Sequence, residues 1–193
     1  MSLCIDTVSI LSPRNLADIL AARPEVKAAL RYLETLTSIE IAHIHNAGLA
    51  LAFINYANDF DGARTVARLK ALNIPAGAAV FCDVEDDAGV DEATLASKIN
   101  AWASVVAAAG YVAGGYFGSA QPFTSDELYR LVVTAYWHSA SRVVDRKTNE
   151  AGPACGWQLI QGQPPDIDVG GVIVDLNMFQ PDYHGRQIEF VAA

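Results

Sequence analysis

Strand-length apolar runs alternate with amphipathic, helix-length segments from the first residues to about residue 137, where the helices stop. That alternation constrains the fold more than any other property of the chain. Strand, crossover helix and next strand form the repeating unit of a parallel sheet flanked by helices. Runs at residues 3–6, 28–33, 50–56, 80–85, 111–117 and 131–137 read as strands. Helical periods fill 13–22, 37–48, 61–72, 91–109 and 124–129, the second opening on Thr37-Ser38-Ile39-Glu40 in the pattern of a capping box. Two more strands are expected at 155–160 and 171–176. The stretch 161–170 between them contains Pro164-Pro165 and leaves no room for a packed helix. Eight strands with about five helices, the last three strands lacking crossover helices, match an α/β, TIM-like (β/α) barrel shorter than the usual ~250 residues. An open doubly wound sheet is the alternative, but no strand carries the charges or prolines of a protected edge, which favours closure.

With 193 residues and 52% hydrophobic content, residues 1–193 read as a single domain around one core. A net charge of −9 with 13 scattered basic residues argues against nucleic acid and anionic membrane surfaces as partners. No apolar run approaches the roughly 20 residues that span a bilayer. No basic-then-apolar leader opens the chain, so it is expected to stay in the cytoplasm until released or exported, unless a leader has been removed. Cys4, Cys82 and Cys155 share no metal-ligand spacing and read as buried free thiols. His43 and His45, two apart on a helix, cannot face one metal ion together. Gly114, Gly115 and Gly118 fit neither common phosphate-loop fingerprint and read as points of close packing. No cofactor is called for, and the oligomeric state is left open.

The chemistry-bearing stretch is Val80-Phe81-Cys82-Asp83-Val84-Glu85-Asp86-Asp87. Residues two apart on a strand share a face, so Asp83 and Glu85 emerge together at the C-terminal end, where parallel α/β proteins place their active sites. Asp6 ends the first strand, and Asp175 and Asn177 share a face of the last. Closing the barrel makes those two strands neighbours. Asp6, Asp83, Glu85 and Asp175 are therefore expected around one mouth, where repulsion and burial hold at least one of them protonated near neutral pH. That is the condition for a general acid beside a carboxylate. Asp86, Asp87 and Asp91 read instead as loop or cap residues. Tyr32, Tyr56, Tyr116, Trp137 and Trp157 at strand ends offer flat faces for sugar rings, with Gln158 next to the last of them. A magnesium or calcium cluster on the acids, serving phosphodiester chemistry, is a rival reading.

The aspartate ending strand one, the Asp83-Val84-Glu85 motif, the Gly115-Tyr116 element, Trp157-Gln158 and Asp175-Leu176-Asn177 together resemble the family 25 glycoside hydrolases, lysozyme-type muramidases. Arg31-Tyr32-Leu33, Leu36-Thr37 with Glu40, Ala47-Gly48 and Gly110-Tyr111 are similar to the glycoside-hydrolase-like family catalogued as domain of unknown function 1906. The likeness covers nearly the whole chain. It implies a glycoside hydrolase acting on a cell-wall glycan such as peptidoglycan, with Glu85 as the general acid and Asp83, Asp175 and Asp6 positioning substrate or water and stabilising positive charge. It leaves attack by Asp83 and attack by a substrate acetamido group both open. Tyr32, Tyr56, Tyr116, Trp137, Trp157, Gln158 and Asn177 are the expected substrate-binding residues. The chain departs from the muramidases at Cys4-Ile5 and over residues 55–61. A carbohydrate-binding barrel that keeps the acids without turnover is the alternative from another class.

Overall fold

The computed structural model describes residues 2–56, 59–85, 89–118, 122–139, 153, 155–162 and 164–192; Asp86 and Asp87 lie outside them. The elements run β1 (Ser2–Thr7), α1 (Pro13–Ala22), β2 (Val26–Tyr32), α2 (Ser38–Asn46), β3 (Ala50–Asn55), α3 (Gly62–Ala71) and β4 (Ala79–Val84). There follow α4 (Glu92–Ala108), β5 (Val112–Phe117), α5 (Ser125–Arg130), β6 (Ala135–His138), β7 (Leu159–Gln161), β8 (Ile167–Val169) and β9 (Val172–Phe179). Strands β1 to β7 pair in chain order and in parallel. β9 then pairs with both β7 and β1, closing an eight-stranded TIM-like barrel, while β8 hangs on the outer side of β9. No helix among the described residues follows α5, and none is long and apolar enough to cross a membrane.

β9 departs from the all-parallel expectation, since it runs antiparallel to both its neighbours. A parallel strand needs a long crossover, usually a helix, whereas an antiparallel return is made by a short link. The Pro-Pro stretch before it supplies no such helix. The two glycines between β8 and β9, Gly170 and Gly171, both have positive φ (62° and 75°), as a tight two-residue hairpin turn requires.

The helices start where their caps dictate. Ser12 and Asn15 form a reciprocal box at α1, with Pro13 in the first turn, and Asp61 and Asp91 accept the amides of Arg64 and Thr94 at 2.9 Å each. At α2 only half of the expected box forms. Thr37 accepts the Glu40 amide (3.1 Å), but the Glu40 side chain turns away. Its Oε1 accepts the Arg31 guanidinium Nε (2.8 Å) and the Leu11 backbone N–H (2.9 Å). Arg31 is fully buried and Glu40 nearly so, and a buried guanidinium claims a carboxylate ahead of a solvent-accessible helix end.

Two apolar layers result. One lies between the strands and the helices and contains Ile5, Phe53, Val80 and Trp102; the other fills the barrel interior with Leu30, Ile54, Phe81 and Trp137. Gly114 makes room for the interior layer, because a Cβ there would stand 2.5 Å from the Phe81 ring. The Phe81 and Trp137 rings meet edge to face at 5.6 Å, and Trp137 meets Tyr116 at 4.5 Å, so an aromatic column rises through the barrel. At the opposite, N-terminal end the last residues close the barrel, Val191 pairing with Leu51 and Phe190 packing on Phe179. All three cysteines are buried.

Removing one member of the buried pair leaves the other charge without a counter-ion. Glu40→Ala is expected to lower unfolding stability by about 3–5 kcal/mol, and the Arg31→Met, Glu40→Leu double variant to recover most of that loss, in urea titrations.

Candidate functional site

The C-terminal rim of the barrel opens into a cavity of about 540 Å³, whose lining includes Asp6, Glu85, Asp175, Tyr32, Tyr116 and Trp137. Among the described residues, none that lines it is Lys, Arg or His. Strand geometry puts the acids there by two routes. β1 and β4 deliver Asp6, Asp83 and Glu85 at their C-terminal ends. β9 delivers Asp175 from its first half, because the strand runs the other way; Asp6 and Asp175 are direct register partners.

Asp6 is the most enclosed acid of the cavity lining, at 7% exposure. Its Oδ2 accepts from Asn177 Nδ2 at 2.6 Å, and Asn177 Oδ1 accepts the Trp137 indole N–H at 2.8 Å. Burial holds the Asp6 carboxyl well above the usual carboxylate range; the charge of Asp175 adds to this, the Asn177 bond opposes it, and Asp83 and Glu85 raise it further. The other three expected acids are thus all within electrostatic reach of Asp6. Asp175 is half-buried. Its Oδ1 accepts the Asp166 N–H at 2.6 Å and its Oδ2 accepts from Gln161 Nε2, so both oxygens are oriented by protein donors. Burial raises its pKa and the two donors pull it back down, while the Asp166 charge adds to the rise.

Asp83 is buried at 3% exposure beneath the cavity, where its Oδ2 accepts the Tyr32 hydroxyl at 3.3 Å. Glu85 follows the end of β4, is partly exposed and lines the cavity directly. The Tyr32 and Tyr116 phenols are both driven upward in pKa by burial and then by the acids, so they stay protonated donors. Tyr116 Oη lies 2.8 Å from Ser139 Oγ and 2.9 Å from Gln161 Oε1. Gln161 therefore joins Tyr116 to Asp175 through the two ends of one amide.

The remaining expected residues lie elsewhere. Tyr56 stands on the same rim, 56% exposed, with its ring edge-on to Tyr32 at 6.0 Å, outside the cavity lining. Asn177 is fully buried under the cavity and is engaged by Asp6 and Trp137, so it supports the site from below. Trp157 packs against His138 at 4.9 Å in the outer layer. Gln158 precedes β7, accepts the Tyr136 amide at 2.8 Å and donates to Asp182 at 3.4 Å, beside the segment that closes the other end of the barrel. Both precede β7, which starts at Leu159, later than the apolar run suggests, and neither is part of the cavity lining.

Several residues that line the cavity were not foreseen. Gln161 lies one residue and Ser139 two residues past where strands were expected to end, Thr7 directly follows Asp6, and Asp166 sits in the Pro-Pro-Asp turn at a positive φ of 57°. That turn signal, Pro-Pro followed by a residue that tolerates the left-handed region, was legible. Among the described residues no group of three or more His, Cys, Asp or Glu is arranged to hold a metal ion.

The unfolded chain releases the Asp6 proton near the ordinary carboxylate value of 3.8, whereas the folded chain keeps it to higher pH. The stability tied to this group is complete below that value and is lost as pH rises through the folded pKa. Asp6→Asn removes the titration. Its melting temperature relative to the parent is expected to climb as pH goes from about 4 toward neutrality, as read in thermal melts across that range.

No protein-family model matches the chain, and no curated protein does. Among solved structures it is similar to the 1.07 Å crystal structure of an uncharacterized B. stearothermophilus protein, at a TM-score of 0.73 and 21% identity, over 93% of this chain and 96% of that one. At that identity the likeness establishes a shared barrel fold.

Proposed function

We propose that this protein is a glycoside hydrolase acting on a bacterial cell-wall glycan, muramidase-like in substrate, with Glu85 as the general acid. The observation that carries this reading is the cavity itself: Glu85, Asp6 and Asp175 face Tyr32, Tyr116 and Trp137 across one opening. Glycosidic cleavage asks for a protonated carboxyl at the leaving oxygen and carboxylates beside the positive charge that develops on the sugar ring. Glu85 lines the cavity and is partly exposed, which supports its reading as the acid that protonates the leaving oxygen. Asp175, oriented by Gln161 and the Asp166 amide, supplies a directed acceptor. Asp83 lies below, Asp6 brings a carboxyl that holds its proton to higher pH, and the tyrosine hydroxyls offer donors to sugar oxygens. The resemblance to the family 25 glycoside hydrolases and to the domain-of-unknown-function 1906 family supports the same assignment.

A second reading, a barrel that binds glycan without cleaving it, draws on the burial of Asp83 under Tyr32, which keeps that carboxylate out of the cavity lining. Turnover separates the two. Glu85→Gln is expected to cut the release of reducing ends from purified peptidoglycan by at least about 10²-fold, with the melting temperature unchanged. Activity retained in that variant defeats the role of Glu85, and glycan capture without reducing ends from the parent protein favours the binding barrel.

A further inference from the structure

Beside the cavity, on the same rim, lies a second groove of about 350 Å³ between the end of β2 and the start of α3. Its lining includes Glu34, Tyr56, Asp59, Arg64 and Arg68. We propose that this groove is a distal sugar subsite, taking a neutral pyranose unit of the same glycan chain whose cleaved linkage lies in the acid-lined cavity. The proposal rests on the glycoside-hydrolase reading and extends it to how the substrate is held along its length.

Three features carry it. The first is continuity: Tyr32 lines the cavity, Tyr56 lines the groove, and the two rings touch edge to face at 6.0 Å. A chain leaving the cavity over Tyr32 meets the exposed face of Tyr56 next. The second is rigidity. The groove floor is an internally satisfied chain in which Trp102 Nε1 donates to Thr65 Oγ1 (3.0 Å) and Thr65 donates to Asn55 Oδ1 (2.8 Å). Arg68 is tied to the Leu33 and Leu36 carbonyls at 2.9 and 2.6 Å, and the Tyr56 amide is held by Glu34 Oε1 at 3.3 Å. A platform ordered before binding loses little entropy when it is occupied. The third is chemistry. Glu34 and Asp59 offset Arg64 and Arg68, so the groove favours neither anion nor cation. The Arg64–Asp59 pair presents donors and acceptors side by side across from an aromatic face. A sugar ring, apolar on one face and hydroxylated at its edge, matches both.

Tyr56 lies outside the cavity lining, so its contribution is to remote binding of a long chain. The test uses peptide-free glycan strands prepared from peptidoglycan, fractionated to tetrasaccharide and octasaccharide. Their affinities are measured by calorimetry on the Glu85→Gln protein, which removes turnover. The octasaccharide is expected to bind about tenfold more tightly than the tetrasaccharide. Adding Tyr56→Ala collapses that ratio, and Tyr56→Phe preserves it; thermal melting checks that both variants are folded. Equal affinity for the two lengths in the Glu85→Gln protein, or a length preference that survives Tyr56→Ala, overturns the subsite. Reducing-end release by the parent protein is scored separately. Its absence defeats the hydrolase reading while the length ratio still decides the groove.

Discussion

The antiparallel pairing of β9 with β1 is the constraint on which the rest of the structure depends. It closes the barrel, and its register sets Asp175 opposite Asp6. A parallel strand in this place would carry its rim residues at its far end and would need a crossover the chain does not have. By running backwards, β9 reaches the mouth in its first half and then descends. Two residues after the rim carboxylate it places Asn177 in the interior, where that amide bridges the Trp137 indole and Asp6. One strand thus furnishes both an acid of the site and the support for the acid opposite.

That arrangement concentrates like charges where water is scarce. Asp6 and Asp83 are almost fully enclosed; Asn177 donates to the first and Tyr32 to the second. Such a cluster opposes folding unless protons are retained, so the scaffold must supply the difference elsewhere. The outer apolar layer between strands and helices and the aromatic column inside the barrel are where it does so. Local instability at a mouth carried by a well-packed body is the usual compromise between stability and activity.

Much of this was readable in the chain. Alternating periods located the five helices found among the described residues, and Asp91 caps α4. Three of the four acids, Asp6, Glu85 and Asp175, line one cavity, while Asp83 is buried outside its lining. Strand direction was not readable, because a period of two is the same in either sense; the antiparallel course of β9 had to come from the structure. The placement of Gln158 and Gln161 turned on where β7 begins, and the apolar run at 155–160 extends ahead of the paired residues. The fate of Glu40 was hidden for a different reason. Its position in a capping pattern is local, whereas its partner Arg31 comes from another element, and tertiary pairing outranked the local motif.

The Glu40 carboxylate has a reach beyond the ion pair. By accepting the Leu11 amide it fastens, from behind, the loop that carries Val8 and Ser9 into the cavity wall. That wall is consequently not an independent flap. Its backbone is moored in the same dry layer that holds α2 against β2, so the loop opens on the slow clock of core disruption and not on the fast one of surface loops. The shape presented to a ligand on this side is set before any ligand arrives, and substitutions deep under α2, far from the opening, are heard at the mouth.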